Sequence, residues 1–196
     1  MSKFILAYFL LFIALYNIAT LNYPGGSLTS PTASHFLWTE NYFCDMMNSV
    51  SINGKENPSK PYSIGALLSL CAGITSFFIW FSNERISQYN FKRTLKLLGS
   101  FSMLSTCLIF TPWHNQFIIS ALIFGLIPCI IILNVILRNI NAYHTGLTIF
   151  VFTFLTGYII IYYLNIFPIS HPIVQKCAIL FGLLWIIKTK FKGEDN

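Results

Sequence analysis

The sequence predicts an all-α, polytopic integral membrane protein: a six-transmembrane-helix bundle with a short amphipathic helix in its first outer loop. Three observations predict it. The 196-residue chain is 55% hydrophobic and only 9% charged. Its apolar residues gather into six long runs with almost no charge inside them. Those runs are continuous rather than alternating, which is a helical pattern and not that of a half-buried strand. A helix rises about 1.5 Å per residue, so about 20 apolar residues cross a hydrocarbon core of about 30 Å. In lipid only helices and closed barrels satisfy their own backbone. Six spans consume most of the chain, so residues 1–196 are expected to form a single membrane domain.

The first span is expected at 3–22. Lys3 followed by an apolar run resembles a signal peptide, but the best cleavage point, after Ala19, has Asn17 three residues before it, so the run reads as an anchor. The second span, 62–82, carries Gly65, Ser69, Gly73 and Ser76, a stripe of small residues that lets a neighbouring backbone approach closely. The third is placed at 94–111. The fourth, 116–137, contains Pro128 after Gly125 and should kink there. The fifth and sixth are placed at 145–164 and 172–188. The short connection from Thr111 to Asn115 makes its neighbours antiparallel. Within the long connection at 23–61, Tyr23-Pro24-Gly25-Gly26 and Asn53-Gly54-Lys55 are turn signals. Between them, Ser34 to Val50 reads as a short helix capped by Ser34. Phe36, Phe43, Met46, Met47 and Val50 are its apolar positions, and Asn41, Cys44, Asp45 and Asn48 share a polar face. Such a helix lies on a membrane or caps a bundle.

Charge sets the expected orientation. Lys3, Arg85, Lys92, Arg93, Lys96, Arg138, Lys188, Lys190 and Lys192 fall in the two tails and alternate connections, whereas Lys55 and Lys60 fall in the long loop. Under the positive-inside rule both termini are cytoplasmic and 23–61 faces outward. The formal charge of +6 is therefore topology information, with some attraction to anionic lipid and no nucleic-acid signature. Trp80 and Trp185 mark the inner interface; Trp38, Tyr62, Trp113, Tyr162 and Tyr163 mark the outer one. Cys44, Cys71, Cys107, Cys129 and Cys177 are scattered, with no CxxC pair and no metal-knuckle spacing, so no structural disulfide is expected.

This topology brings His35, His114, His171, Glu40 and Asp45 to the outer face and leaves His144 on the inner one. Three histidines, or histidine with aspartate, suit zinc with an open position for water. The metal candidates are thus His35, His114 and His171, with Asp45 or Glu40 as a catalytic base. The bland alternative is that these histidines bond to loops at helix ends. Lys176 is the one basic residue inside a span, which marks it as a functional candidate, although it can snorkel to headgroups or pair with Asp45 or Glu40. Asn41, Asp45, His114, His171 and Lys176 together make a candidate ligand- or lipid-binding constellation.

Two family resemblances follow from these residues. The layout of six spans, inward termini and a long first outer loop resembles the Frag/DRAM/Sfk-like six-span family and related bacterial membrane proteins. So do Thr111-Pro112-Trp113-His114 opening the fourth span, Tyr23-Pro24-Gly25-Gly26, Asn41-Tyr42-Phe43-Cys44-Asp45 and Asn53-Gly54. This implies membrane lipid organisation or signalling rather than a defined reaction. Trp38-Thr39-Glu40-Asn41-Tyr42 is similar to a stretch near the start of the alkaline ceramidases, relatives of the adiponectin receptors. That implies a zinc hydrolase, though the histidine pair four apart on a late helix has no counterpart here. The leading expectation is a non-enzymatic protein of a bacterial inner membrane whose outer face binds a membrane lipid or a partner protein. The alternatives are a metal-dependent hydrolase at the outer face and a small subunit of a larger membrane complex. A transporter is disfavoured, because the two three-span halves do not resemble each other.

Overall fold

A computed structural model describes residues 2–139 and 142–191; Lys192 and the side chain of His144 lie outside what it describes. Six helices account for most of these residues: α1 Ser2–Asn22, α2 Lys60–Arg85, α3 Tyr89–Cys107, α4 His114–Asn139, α5 Ala142–Tyr163 and α6 His171–Phe191. Single 3₁₀ turns occur at Phe43–Met47 and Pro168–Ser170. Among the described residues there is no strand, only an isolated bridge between Val50 and Glu56. Five helices, all but α3, are long and apolar enough to cross a membrane.

The third helix departs most from its expected bounds. It begins at Tyr89 rather than 94 and stops at Cys107 rather than 111. Hydropathy sees only the apolar part, but Lys92, Arg93 and Lys96 are good helix formers and extend the helix backwards. At the other end Ser105 Oγ donates to Phe101 O (3.0 Å) and Thr106 Oγ1 to Ser102 O (2.9 Å). The chain then tightens through Leu108 N–H to Ser105 O and Thr111 N–H to Leu108 O ahead of Pro112. The fourth helix runs unbroken through Pro128, which is buried.

The helix expected over Ser34–Val50 does not form; only Phe43–Met47 is helical, as one 3₁₀ turn. The cause is side-chain competition for the backbone. Asn41 Oδ1 accepts from Leu37 N–H (2.9 Å) and Asp45 Oδ2 from Tyr42 N–H (2.8 Å). Tyr42 is held extended at φ −74°, ψ 160°, and Asn48 turns away at φ −76°, ψ 150°. Ser34 therefore caps nothing, and the proposed four-residue polar face is replaced by a direct Asn41–Asp45 contact.

The chain divides into two compact units: Met1–Phe12 with Leu67–Thr145, and Ile13–Ala66 with Gly146–Asn196. In the first, α3 and α4 pack through small residues. Ser102 Oγ donates to Ala121 O (2.8 Å), Ser105 and Ser120 share a hydroxyl contact (3.0 Å), and a Cβ on Gly125 would lie 2.9 Å from Ser102 Oγ. Close backbone approach joined by hydroxyls is how helices associate where hydrophobicity drives little. The small stripe of α2 serves α1: Gly73 leaves room for the Phe9 ring. In the second unit Gly65 faces Leu15 at 3.2 Å. There too, Phe150 and Phe154 pack on Phe181, and Trp185 is buried with Nε1 donating to Thr148 Oγ1 (2.9 Å). Trp185 thus joins α6 to α5. All five cysteines are free thiols.

Phe9 is 1% exposed, so its ring has nowhere to retreat from a new methyl group. Gly73→Ala is expected to cost about 1–3 kcal/mol through overpacking, seen as a lower melting temperature in detergent. Gly182→Ala, with nothing within 4 Å, should leave it unchanged or raise it. Equal melting temperatures for the two variants would refute the close packing of α1 on α2.

Candidate functional site

The 23–61 segment has neither strands nor a long helix to pair its backbone, and side chains take over that work. Gly25 (φ +111°) and Gly26 (φ +85°) occupy backbone conformations that L side chains avoid. A Cβ on Gly25 would strike Ala33 O, and one on Gly26 would strike Asn53 N. Asn53, from the second turn signal, reaches into the first: its Nδ2 donates to Pro24 O (2.6 Å) and Ala33 O (3.2 Å). Asn57 Nδ2 donates to Met46 O (3.0 Å) and Asn48 O (2.8 Å). Ser59 Oγ donates to Asn57 Oδ1 (2.6 Å), and Ser63 Oγ, in the first turn of α2, donates to Met46 O (2.8 Å). The segment is thereby a folded platform, with Phe36, Phe43, Met46 and Met47 buried beneath it.

The second layer ties this platform to α6. Asn41, 0% exposed, donates from Nδ2 to Gly26 O (2.7 Å) and Asp45 Oδ2 (3.1 Å). Its own carbonyl accepts from Lys176 Nζ at 2.5 Å, and the same ammonium donates to Pro172 O (3.1 Å) and lies 5.5 Å from the centre of the Phe36 ring. Gln175 Oε1 accepts from Phe43 N–H at 2.9 Å. Tyr16 of α1 completes the floor, with ring centres 5.6 Å from Trp38 and 5.2 Å from Phe43. Lys176 thus acts as a latch between α6 and the platform backbone, with three residue types (amine, amide, carboxylate) gathered around Asn41.

Electrostatics agrees with a holding role. Burial raises the Asp45 carboxyl above its ordinary value, and the hydrogen bonds from Asn41 and Tyr42 N–H and the positive Lys176 oppose this only in part. Burial, and then the Asp45 charge, push the Cys44 thiol up to about 11. A thiol so placed is not a nucleophile near neutral pH. Tyr42 is likewise pushed up to about 12, chiefly by burial. Glu40 is shifted the other way: Ser27 Oγ (2.5 Å) and Thr29 Oγ1 (2.6 Å) donate to its Oε2 and favour the carboxylate.

The histidines take another job. His35 is exposed. His114 Nδ1 meets Ile109 O at 2.5 Å, and His171 Nε2 meets Ile166 O at 2.8 Å. A carbonyl only accepts, so each of these nitrogens carries its proton. At the start of α4 and again at the start of α6, a ring hooks the carbonyl five residues back and closes the preceding turn. His171 is buried against Tyr162, ring centres 5.6 Å apart. Among the described residues no group of three or more His, Cys, Asp or Glu is placed to hold a metal ion.

Of the five residues in the candidate constellation, Asn41, Asp45 and Lys176 meet. His171 bonds elsewhere in the same unit, and His114 belongs to the other unit. Sequence reasoning missed Gln175, Asn53, Asn57 and Ser63. Gln175 had a signal in its position beside Lys176 on a helix start. Asn57 and Ser63 had none, because their partners are carbonyls, which every residue carries. Comparison with protein-family models, with curated proteins and with solved structures finds no match to this chain.

Two predictions follow from the latch and the carboxylate. Lys176→Met keeps the stem and removes the donors. It is expected to speed amide exchange across 41–47 by about ten- to hundredfold, in line with the roughly 1.5–3 kcal/mol a charged hydrogen bond contributes. Unchanged exchange, read by mass spectrometry, would sink the latch. Because the Glu40 pKa is lowered in the fold, its stabilisation is complete above its unfolded value of about 4.3 and is lost as pH falls through the depressed folded value. The gap in melting temperature between wild type and Glu40→Gln should be constant at neutral pH and close below about pH 4. A gap independent of pH would contradict the assignment.

Proposed function

We propose that this is a six-span protein of a bacterial cytoplasmic membrane, both termini inside, which binds a lipid or a partner protein at its outer face and performs no chemistry of its own. Five apolar helices of sufficient length support the membrane reading. We count α3 as the sixth span: its buried face of Leu95, Gly99, Ser102 and Ser105 packs on α4, and its basic residues lie at the end assigned to the cytoplasm.

One observation carries the binding reading. Two of the three carboxylates in 23–61 are engaged within the fold: Glu40 with Ser27 and Thr29, and Asp45 with Asn41 and Tyr42. The same platform displays large apolar residues, with Leu28 78%, Val50 56% and Trp38 50% exposed. A rigid surface bearing apolar residues is suited to contact and ill suited to turnover.

The test is a photo-crosslinking residue at Leu28, and separately at Val50, in the full chain in native membranes. Adducts of protein size at either position identify a partner; adducts of lipid mass identify lipid. No adduct at either position, in protein that remains folded, overturns the reading.

A further inference from the structure

The connection between α5 and α6 exposes large apolar side chains. Leu164 is 65% exposed, Phe167 76% and Ile169 74%, with Tyr163 and Ile166 beside them. From Asn139 to Gln175 the sequence contains no Asp, Glu, Lys or Arg. The other long connection on the same proposed side, 23–61, carries Glu40, Asp45, Lys55, Glu56 and Lys60. A turn standing in water has no reason to lack charge so completely, and runs of exposed apolar residues in water promote association.

This turn is also held in a shape that costs free energy. Asn165 (φ +54°) and Phe167 (φ +52°) lie in the left-handed region. Asn tolerates it, but a bulky aromatic residue there is an outlier. Such a conformation persists only where its surroundings impose it. They do so here from both sides. Leu164 N–H bonds Ile160 O (3.0 Å) and Ile166 N–H bonds Ile161 O (2.9 Å) behind the tip; Ser170 N–H and Oγ both reach Phe167 O (2.9 and 2.8 Å), and the His171 ring holds Ile166 O. The N–H groups of Leu164, Asn165 and Ile166 and the carbonyls of Ile166, Phe167 and Pro168 are thus drawn back into the helix ends, while Leu164, Phe167 and Ile169 are exposed. Pairing backbone groups locally while exposing apolar side chains lowers the cost of leaving water.

We propose that the Leu164–Ile169 tip is a membrane wedge, seated among the acyl chains of the outer leaflet in continuity with α5 and α6, rather than an aqueous loop. The occupant of its surface is bilayer lipid: the tip carries no charge, and beside the exposed Leu164, Phe167 and Ile169 the Asn165 amide is its one polar side chain, too little for a soluble partner to read. The inference rests on the six-span reading and adds to it that this connection, unlike 23–61, is immersed.

The experiment uses the wild-type chain in vesicles of phosphatidylethanolamine and phosphatidylglycerol. It combines carbene labelling from a phospholipid with an acyl-chain diazirine and hydroxyl-radical footprinting from the water phase. The exposed Ile160 on α5 and His35 on the platform serve as internal references. The expected result is carbene labelling over 164–169 as heavy as at Ile160, with little oxidation there compared with His35. Strong oxidation of the tip with labelling confined to Ile160 overturns the wedge. A tip silent to both reagents while Ile160 is labelled also overturns it, and indicates a second protein chain on that surface. Failure to label Ile160 itself would instead remove the six-span reading.

Discussion

Every backbone carbonyl and amide taken from water needs a partner, and in this chain that requirement decides what the polar side chains do. Helices meet it internally. The segments between helices do so only in part, through turns such as Asn41 N–H to Leu37 O and Ser51 N–H to Lys55 O, and side chains reaching to the backbone supply further bonds. Asn41, Asn53, Asn57, Ser63 and Lys176 all donate to carbonyls within 23–61. His114 and His171 do the same for the turns that precede α4 and α6. The two histidines each close a local turn, the asparagines bind the loop to itself, and Lys176 ties α6 to a distant segment.

The helices were legible because an apolar run long enough to span lipid leaves few alternatives. Five of six helices begin and end within about three residues of the expected bounds, the usual uncertainty of element edges. The third does not, because hydropathy cannot see Lys92 and Arg93 as helical residues. The helix over Ser34–Val50 failed for a different reason. Its apolar spacing is real, and Phe36, Phe43, Met46 and Met47 are indeed buried. Asn41 and Asp45, however, capture the amides of Leu37 and Tyr42, and an amide captured by a side chain cannot propagate a helix. Spacing alone cannot tell burial in a helix from burial in a folded loop.

The candidate site was legible in part. Asn41, Asp45 and Lys176 were grouped by the expected topology, and the fold brings them together, though around a backbone carbonyl rather than around an open cavity. Of the histidines grouped by the same reasoning, His114 and His171 each place one ring nitrogen on the carbonyl of a local turn, and His35 is exposed. The difference lies in sequence separation. Lys176 has no carbonyl near it in sequence to satisfy beyond that of Pro172, so it reaches a distant segment. His114 and His171 each follow a turn whose freed carbonyl lies five residues back.

The two long connections on the proposed outer side then follow opposite physical solutions. In 23–61, Glu40, Asp45, Asn41, Asn53 and Asn57 are bonded within the fold, and Glu56 is exposed. The Asp45 carboxyl illustrates the limit of that solution. Burial raises its pKa despite two hydrogen bonds and a nearby ammonium, so its ionised form works against the fold. By linkage that penalty is absent below the unfolded value of about 3.9 and grows until the pH has passed the raised folded value. Elsewhere in the same segment Gly54, Lys55 and Glu56 are exposed. At Leu164–Ile169 part of the backbone is paired at the helix ends and no side chain carries charge. The contrast arises from composition, since both connections obey the same rule for their backbones and differ only in the side chains left facing outward.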